Sequence, residues 1–208
     1  MEQCPVCGKA YGITHSCPGP PTLESAAATK WPVPTGFAPL HYFRQGIAIA
    51  SLDDDAVMAA SRDKHALLYG ATIWIIGQIL ALAATLWERV GLAKFNWFVL
   101  LFTFGFMTVL GGLLLLAQYG ICHLLARSWF GARGTYIGVL RPLLLGSVVM
   151  WLSAIPYIGL LIAALWSIAV MMIVFEDVDG IGRLKAFGLS AVVGIFFQAL
   201  VRALLAAR

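Results

Sequence analysis

The sequence contains few charged residues: Asp, Glu, Lys and Arg together make up 12% of its 208 residues. Globular domains average about 25% of such residues, which cover the surface that faces water. This shortage excludes a soluble globular enzyme and a disordered chain, and four cysteines are too few for a disulfide-rich secreted domain. The sequence also has no long apolar run near its start, so we expect no secretory signal peptide.

The sequence is instead strongly apolar, with 61% hydrophobic residues and a mean hydropathy of +0.87. Long uncharged stretches are enough to cross the hydrocarbon core at about 1.5 Å per residue, and Pro156 with Gly159 divides one of them by a turn. The sequence therefore predicts an all-α integral membrane protein over 66–208. Five transmembrane helices are expected at about 66–87, 97–125, 137–154, 157–175 and 185–205.

Lys and Arg residues are distributed unevenly between the predicted loops. Seven would lie at cytosolic ends if the N-terminus is inside, and four would lie outside. The positive-inside rule then predicts a cytosolic N-terminus and an external C-terminus. Basic residues at helix ends also account for the isoelectric point of 9.0, and no basic stripe with interleaved aromatic residues occurs, so no nucleic-acid partner is expected.

Three of the four cysteines lie close together near the start of the chain. Cys4 and Cys7 form a Cys-x-x-Cys pair, a spacing that places two thiolates around one metal ion. His15 and Cys17 supply a second pair, which is one residue shorter than the usual knuckle. The sequence therefore predicts one structural zinc ion with the ligands Cys4, Cys7, His15 and Cys17. A tail with a chance Cys-x-x-Cys pair, or a redox pair, is the alternative.

The zinc-ribbon-like segment (1–19) is separated from the first span by two further segments. Residues 20–39 are rich in Pro, Ala and Thr and predict a flexible linker. Over 40–65 apolar residues recur at helical spacing, and a run of aspartates can cap a second helix. We therefore expect two short amphipathic helices, which either lie on the membrane surface or form a cytosolic connector.

The apolar half offers little catalytic chemistry. Ser190 and His123 invite comparison with an intramembrane serine protease, but the small-residue motif that such an enzyme needs is broken at Ala191. We expect His123 to lie at a membrane interface and the acidic stretch 176–180 to be a solvated loop. Glutamines within the spans are expected to bond between helices, with an aqueous path as the alternative; they are Gln78, Gln118 and Gln198.

Small residues recur every fourth position along several predicted spans, for example Gly77 and Ala81, or Gly159, Ala163 and Ser167. Such ridges let helix backbones approach closely in lipid. We interpret them as packing within one helical bundle, and a homo-oligomer interface is the alternative.

The arrangement resembles the Ypt/Rab-interacting protein (YIP) domain family over about residues 36–205. The resemblance is carried by Arg141-Pro142 at the start of the third span, by the turn 155–159, by Leu165-Trp166-Ser167-Ile168 and by Arg183-Leu184-Lys185-Ala186. The resemblance implies a bacterial-type member in the inner membrane. Bacterial members of this family often carry a small zinc-ribbon tail. The Rab-associated eukaryotic motif is reduced here to Leu68-Tyr69-Gly70-Ala71, so Rab binding is not carried over.

The sequence therefore allows two functional interpretations. The first is a non-catalytic module that contacts membrane lipids, organises the membrane and recruits a cytosolic protein through the N-terminal tail. The alternative is a conduit, meaning a small-molecule transporter, a channel or a lipid scramblase. A buried ionisable residue or a groove between the spans would favour the conduit, and a closed bundle would favour the module.

Overall fold

The computed structural model describes residues 30–89, 97–155 and 158–206, and within these ranges every regular element is a helix. The prediction of an all-α protein is thus confirmed for the described residues. In chain order the elements are α1 (Pro39–Ala50), α2 (Asp54–Arg62), α3 (Ala66–Arg89), α4 (Trp97–Phe130), α5 (Tyr136–Gly146), a 3₁₀ segment (Ser147–Ala154), α6 (Gly159–Asp179) and α7 (Arg183–Ala206).

Four helical segments of the described chain are long and apolar enough to cross a membrane: Ala66–Ala84, Phe104–Phe130, Tyr136–Ala154 and Leu161–Asp179. Such a set is what a multi-pass membrane protein requires. The fifth predicted span falls within α7, and its passage through the membrane stays a prediction.

The third span changes helix type halfway along. Thr135 caps α5 by accepting a hydrogen bond from the amide of Gly138 at 3.1 Å, and Pro142 lies inside the helix. From Ser147 the chain continues as a 3₁₀ helix, and the hydroxyls of Ser147 and Ser153 each donate to a carbonyl three residues earlier. Hydroxyl groups that bond to nearby carbonyls compete with the regular α-helical bonds, which agrees with the tighter helix here.

Small residues set how closely the helices pack. A Cβ atom added to Gly70 of α3 would lie 2.9 Å from the backbone carbonyl carbon of Leu144 in α5. Gly159 approaches the carbonyl of Leu152 closely, and Ala163, one helical turn later, is fully buried. These contacts support packing within one bundle for the described part of the small-residue ridges.

Helices α1 and α2 are built into the bundle and pack against α5 and α6. The buried face of α1 includes Tyr42, Gln45 and Ile49. The indole of Trp166 in α6 donates to the carbonyl of Ala50 at 2.6 Å, which ties the end of α1 to the side of a span. The two short helices therefore form part of the packed core.

Asp53 begins α2 as its N-cap. Its carboxylate accepts hydrogen bonds from the Ala56 amide at 3.1 Å and from the Lys30 ammonium. Burial raises the pKa of the Asp53 carboxyl, but these hydrogen bonds and the nearby positive charge lower it more, so its pKa lies below its ordinary value. The charged form of Asp53 therefore stabilises the folded state.

We expect Asp53→Ala to lower the free energy of unfolding by about 1 kcal/mol at pH 7, because it removes this cap. The contribution is present above the pKa of the unfolded chain, about 3.9, and is lost as the pH falls through the lower folded-state pKa. The difference is measured by unfolding in detergent at pH 7 and at about pH 2.5, where the Asp53 carboxyl of the unfolded chain is protonated. Asp55→Ala is the matched control because Asp55 is exposed on the same helix. An equal loss at both pH values would contradict this account.

Candidate ligand-binding cavity

A cavity of about 530 Å³ lies among the membrane helices. Each of the five long helical segments contributes to its wall, with Trp74 from α3, Leu115 from α4, Leu143 from α5, Met171 from α6 and Ile195 from α7. Ligand sites in proteins are typically clefts of about 300–1,000 Å³ with mostly apolar walls. The cavity thus has the size and lining of a site for a small apolar molecule.

Small residues leave this space open. A Cβ atom added to Gly111 of α4 would come no closer than 3.9 Å to the ring of Trp74, and one added to Gly194 of α7 would lie 4.0 Å from Ile168. Helices α3 and α4 make few contacts with each other, although both contact α5. The cavity therefore occupies a place where α3 and α4 pack loosely against each other.

The wall carries several polar side chains near the centre of the spans, namely two glutamines, two serines and the phenol of Tyr119. Gln78, Gln118, Ser147 and Ser167 each lie within three residues of the midpoint of their membrane-spanning segment. The two serine hydroxyls donate to helix carbonyls, at 2.6 Å for Ser147 and 2.7 Å for Ser167. The serines are therefore satisfied by their own helices.

The two glutamine amides are not satisfied in this way. The amide nitrogen of Gln118 has the sulfur of Met171, 4.0 Å away, as its partner, and a thioether is a weak acceptor. Gln78 makes no hydrogen bond with the described part of the chain. In the apolar centre of a membrane such amides need a partner inside the protein. The cavity is the space that both amides border.

The lining residues include no Asp, Glu, Lys, Arg or His in the part of the chain that the structure describes. An ion placed there would lose its hydration without gaining an opposite charge. The arrangement is therefore suited to uncharged molecules.

The predicted zinc ligands Cys4, Cys7, His15 and Cys17 lie outside the described residues. Within the ranges that the structure describes, no group of three or more His, Cys, Asp or Glu side chains is placed to hold a metal ion. The zinc site therefore stays a prediction from the sequence.

The prediction of a solvated acidic loop at 176–180 is wrong. Helix α6 continues through these acidic residues to Asp179 and ends at Gly180, which has the left-handed conformation that favours glycine. Asp179 is 1% exposed, and its carboxylate lies 3.1 Å from Nδ1 of His123, which is 5% exposed. The sequence therefore did not reveal this buried pair.

The contacts of His123 and Asp179 connect α4, the loop between α4 and α5, and the end of α6. The backbone amide of Arg133, in the loop between α4 and α5, donates to the carbonyl of Asp179 at 3.1 Å. In the same loop Gly134 lies against the Asp179 carboxylate, where a larger residue would not fit. His123 is on α4, one helical turn beyond the cavity residue Tyr119. The pair thus closes the bundle next to the cavity.

Ser190 is fully buried in α7, and its hydroxyl has no hydrogen-bond partner among the described residues. No hydrogen bond joins Ser190 to His123 among the described residues, and Asp179 contacts only the Nδ1 atom of the imidazole. A serine nucleophile needs a base within about 3 Å. The geometry therefore gives no support to a Ser–His pair.

Comparison of the chain with protein-family models, with curated proteins and with solved structures finds no match. The resemblance to the YIP domain family thus depends only on the short motifs in the sequence.

Proposed function

We propose that this chain is a non-catalytic, multi-pass membrane protein that takes a small apolar molecule from the bilayer into the cavity between its spans. The observation that carries the proposal is the cavity of about 530 Å³, which borders all five long helical segments. A space of this kind favours the conduit over the closed bundle that a purely organising module would have.

The surroundings of the cavity indicate where its ligand comes from. The outer face of α4 carries exposed apolar side chains, among them Phe102, Val109 and Leu113. In a membrane these side chains contact lipid tails, so the helices around the cavity are in direct contact with the bilayer. A molecule dissolved in the hydrocarbon can then reach the cavity without crossing water.

Filling the cavity tests the proposal. Gly111→Leu places a side chain in the open space beside Trp74, and it should lower labelling by a photoreactive diacylglycerol about tenfold or more in the full-length protein in phosphatidylcholine nanodiscs, because roughly 1.4 kcal/mol of lost binding already has that effect. Gly105→Leu is the matched control: it lies on the same helix, where an added Cβ meets nothing within 4 Å. Equal labelling of the two variants would reject the proposal.

The N-terminal tail favours a second role, the recruitment of a cytosolic protein. Its support is the pattern of Cys4, Cys7, His15 and Cys17, which a small domain without an apolar core needs in order to fold around zinc. This pattern and the YIP-type motifs support a cytosolic N-terminus in a bacterial cell, where thiols stay reduced. The protein would then join a membrane binding site to a soluble adaptor.

We expect the purified full-length protein to contain one zinc ion per chain, measured by elemental analysis under reducing conditions. Replacing Cys4 and Cys7 with Ser should remove the zinc, because two thiolates of a tetrahedral site are lost, while the melting temperature of the membrane domain stays unchanged. Cys122→Ala changes the buried cysteine of α4 and should leave the zinc content intact. Wild-type protein without zinc would contradict the predicted site.

A further inference from the structure

We infer that the ligand of the cavity is an uncharged lipid that carries a hydroxyl or carbonyl oxygen, and that the side-chain amides of Gln78 and Gln118 bind this oxygen. The inference rests on the proposed function and adds the chemical class of the ligand. Diacylglycerols are one group of lipids with this chemistry, and the cavity of about 530 Å³ would take their glycerol group with the adjoining part of an acyl chain.

Both amides lack a strong hydrogen-bond partner among the described residues. Gln118 on α4 has a thioether at 4.0 Å as its hydrogen-bond partner, and Gln78 on α3 has no partner in the described part of the protein. Both side chains border the same cavity from neighbouring spans. Each amide offers two N–H donors and one carbonyl acceptor, so a hydroxyl group can satisfy both kinds of group and a carbonyl can accept from the donors.

Both amides lie near the middle of their spans. Gln118 is one residue from the midpoint of Phe104–Phe130, and Gln78 is three residues from the midpoint of Ala66–Ala84. At about 1.5 Å per residue, both amides lie within roughly 5 Å of the centre of their spans. A lipid that stays anchored at the membrane surface by a charged headgroup keeps its polar atoms away from this level. A lipid with a small uncharged polar group can bring that group to the membrane centre.

The lining residues that the structure describes carry no charge. A phosphate or an ammonium group in the cavity would have no opposite charge to offset its lost hydration. The polar lining consists of amides, hydroxyls and the phenol of Tyr119, all of which bind uncharged oxygen atoms. The walls beside them are apolar, which suits an acyl or isoprenoid chain.

The test uses the full-length protein in phosphatidylcholine nanodiscs and two photoreactive probes with identical acyl chains, a diacylglycerol and an anionic phosphatidylglycerol. We expect diacylglycerol to label residues of the cavity wall, and phosphatidylglycerol to label them at least fivefold less. Gln118→Leu and Gln78→Leu should each lower diacylglycerol labelling about five- to tenfold, which corresponds to the loss of one hydrogen bond. Their melting temperatures should not fall, because each variant removes an amide without a strong partner.

Thr72→Val is the matched control. Thr72 is an exposed polar residue of α3 outside the cavity, so its labelling should equal that of the wild type. Unchanged labelling of both glutamine variants would mean that water satisfies the amides, and it would overturn the inference. Equal labelling by phosphatidylglycerol would overturn the uncharged class. In either case a loss of labelling in Gly111→Leu would leave the proposed function standing, whereas labelling of the cavity by neither probe would reject both.

Discussion

Gly70→Ala should lower the free energy of unfolding by about 3 kcal/mol, at the upper end of the usual cost of overpacking. The added Cβ would lie 2.7 Å from the Cβ of Leu144 and 2.9 Å from the backbone of α5. Carbon atoms pack at about 3.5–4.0 Å, so the two helices would have to separate. Because α3 and α5 make the most extensive helix–helix contact in the described bundle, their separation weakens the whole core.

Reversible unfolding in mixed detergent micelles, followed by circular dichroism, measures this loss. Gly105→Ala is the matched control because its Cβ meets nothing within 4 Å, and alanine favours a helix over glycine by up to about 1 kcal/mol. The control should therefore be as stable as the wild type or more stable. If both variants unfold alike, the close approach of α3 to α5 does not exist in the protein.

Much of the fold follows from hydrophobic length alone. The uncharged stretch from Ala66 predicts α3. Helix α5 begins directly after the loop at 131–134, in the sequence Thr-Tyr-Ile-Gly. Such stretches are visible because a membrane requires about 20 apolar residues per helix, whatever lies beside it. Hydrophobic length does not show which helices contact each other. Gly70 belongs to no predicted ridge, yet it lies at a close approach between α3 and α5.

The 3₁₀ segment and the ends of the helices could not be predicted from hydropathy. In the sequence, Ser147 is a single serine in an apolar run and gives no sign of a change in helix type. In the structure its hydroxyl donates to the carbonyl of Leu144 at the point where the α-helix ends. The acidic residues up to Asp179 suggested a loop because isolated carboxylates avoid membranes. A partner 56 residues away in sequence, His123, makes the last turn of α6 stable.

The candidate site was visible in the sequence only as separate residues. Gln78 and Gln118 stand out as polar groups within apolar spans, and bonding between helices is the ordinary expectation for them. The structure places both at one cavity, where Gly111 and Gly194 leave room because glycine has no side chain. Which face of each helix points inward depends on packing against three or more neighbours, and the repeat of apolar residues cannot reveal this when every face is apolar.

His123→Leu is expected to cost about 3 kcal/mol, because it leaves the buried Asp179 carboxylate without its side-chain hydrogen-bond partner. The Asp179 carboxylate is 1% exposed, and the imidazole 3.1 Å away is its side-chain partner. Without that partner the buried carboxylate must either lose its charge or draw water into the bundle. The loop between α4 and α5, held by Arg133 and Gly134 against Asp179, should loosen at the same time.

A double-mutant cycle separates the pair from the general effect of changing a buried residue. The variant with both His123→Leu and Asp179→Leu removes the unpaired carboxylate, so it should be more stable than His123→Leu alone. The exposed ion pair of Arg183 and Glu176 supplies the control, because Glu176→Gln should change the melting temperature little. Additive losses in the cycle would mean that His123 and Asp179 do not stabilise each other. A positive coupling would identify this pair as the contact that holds α4 to α6 beside the cavity.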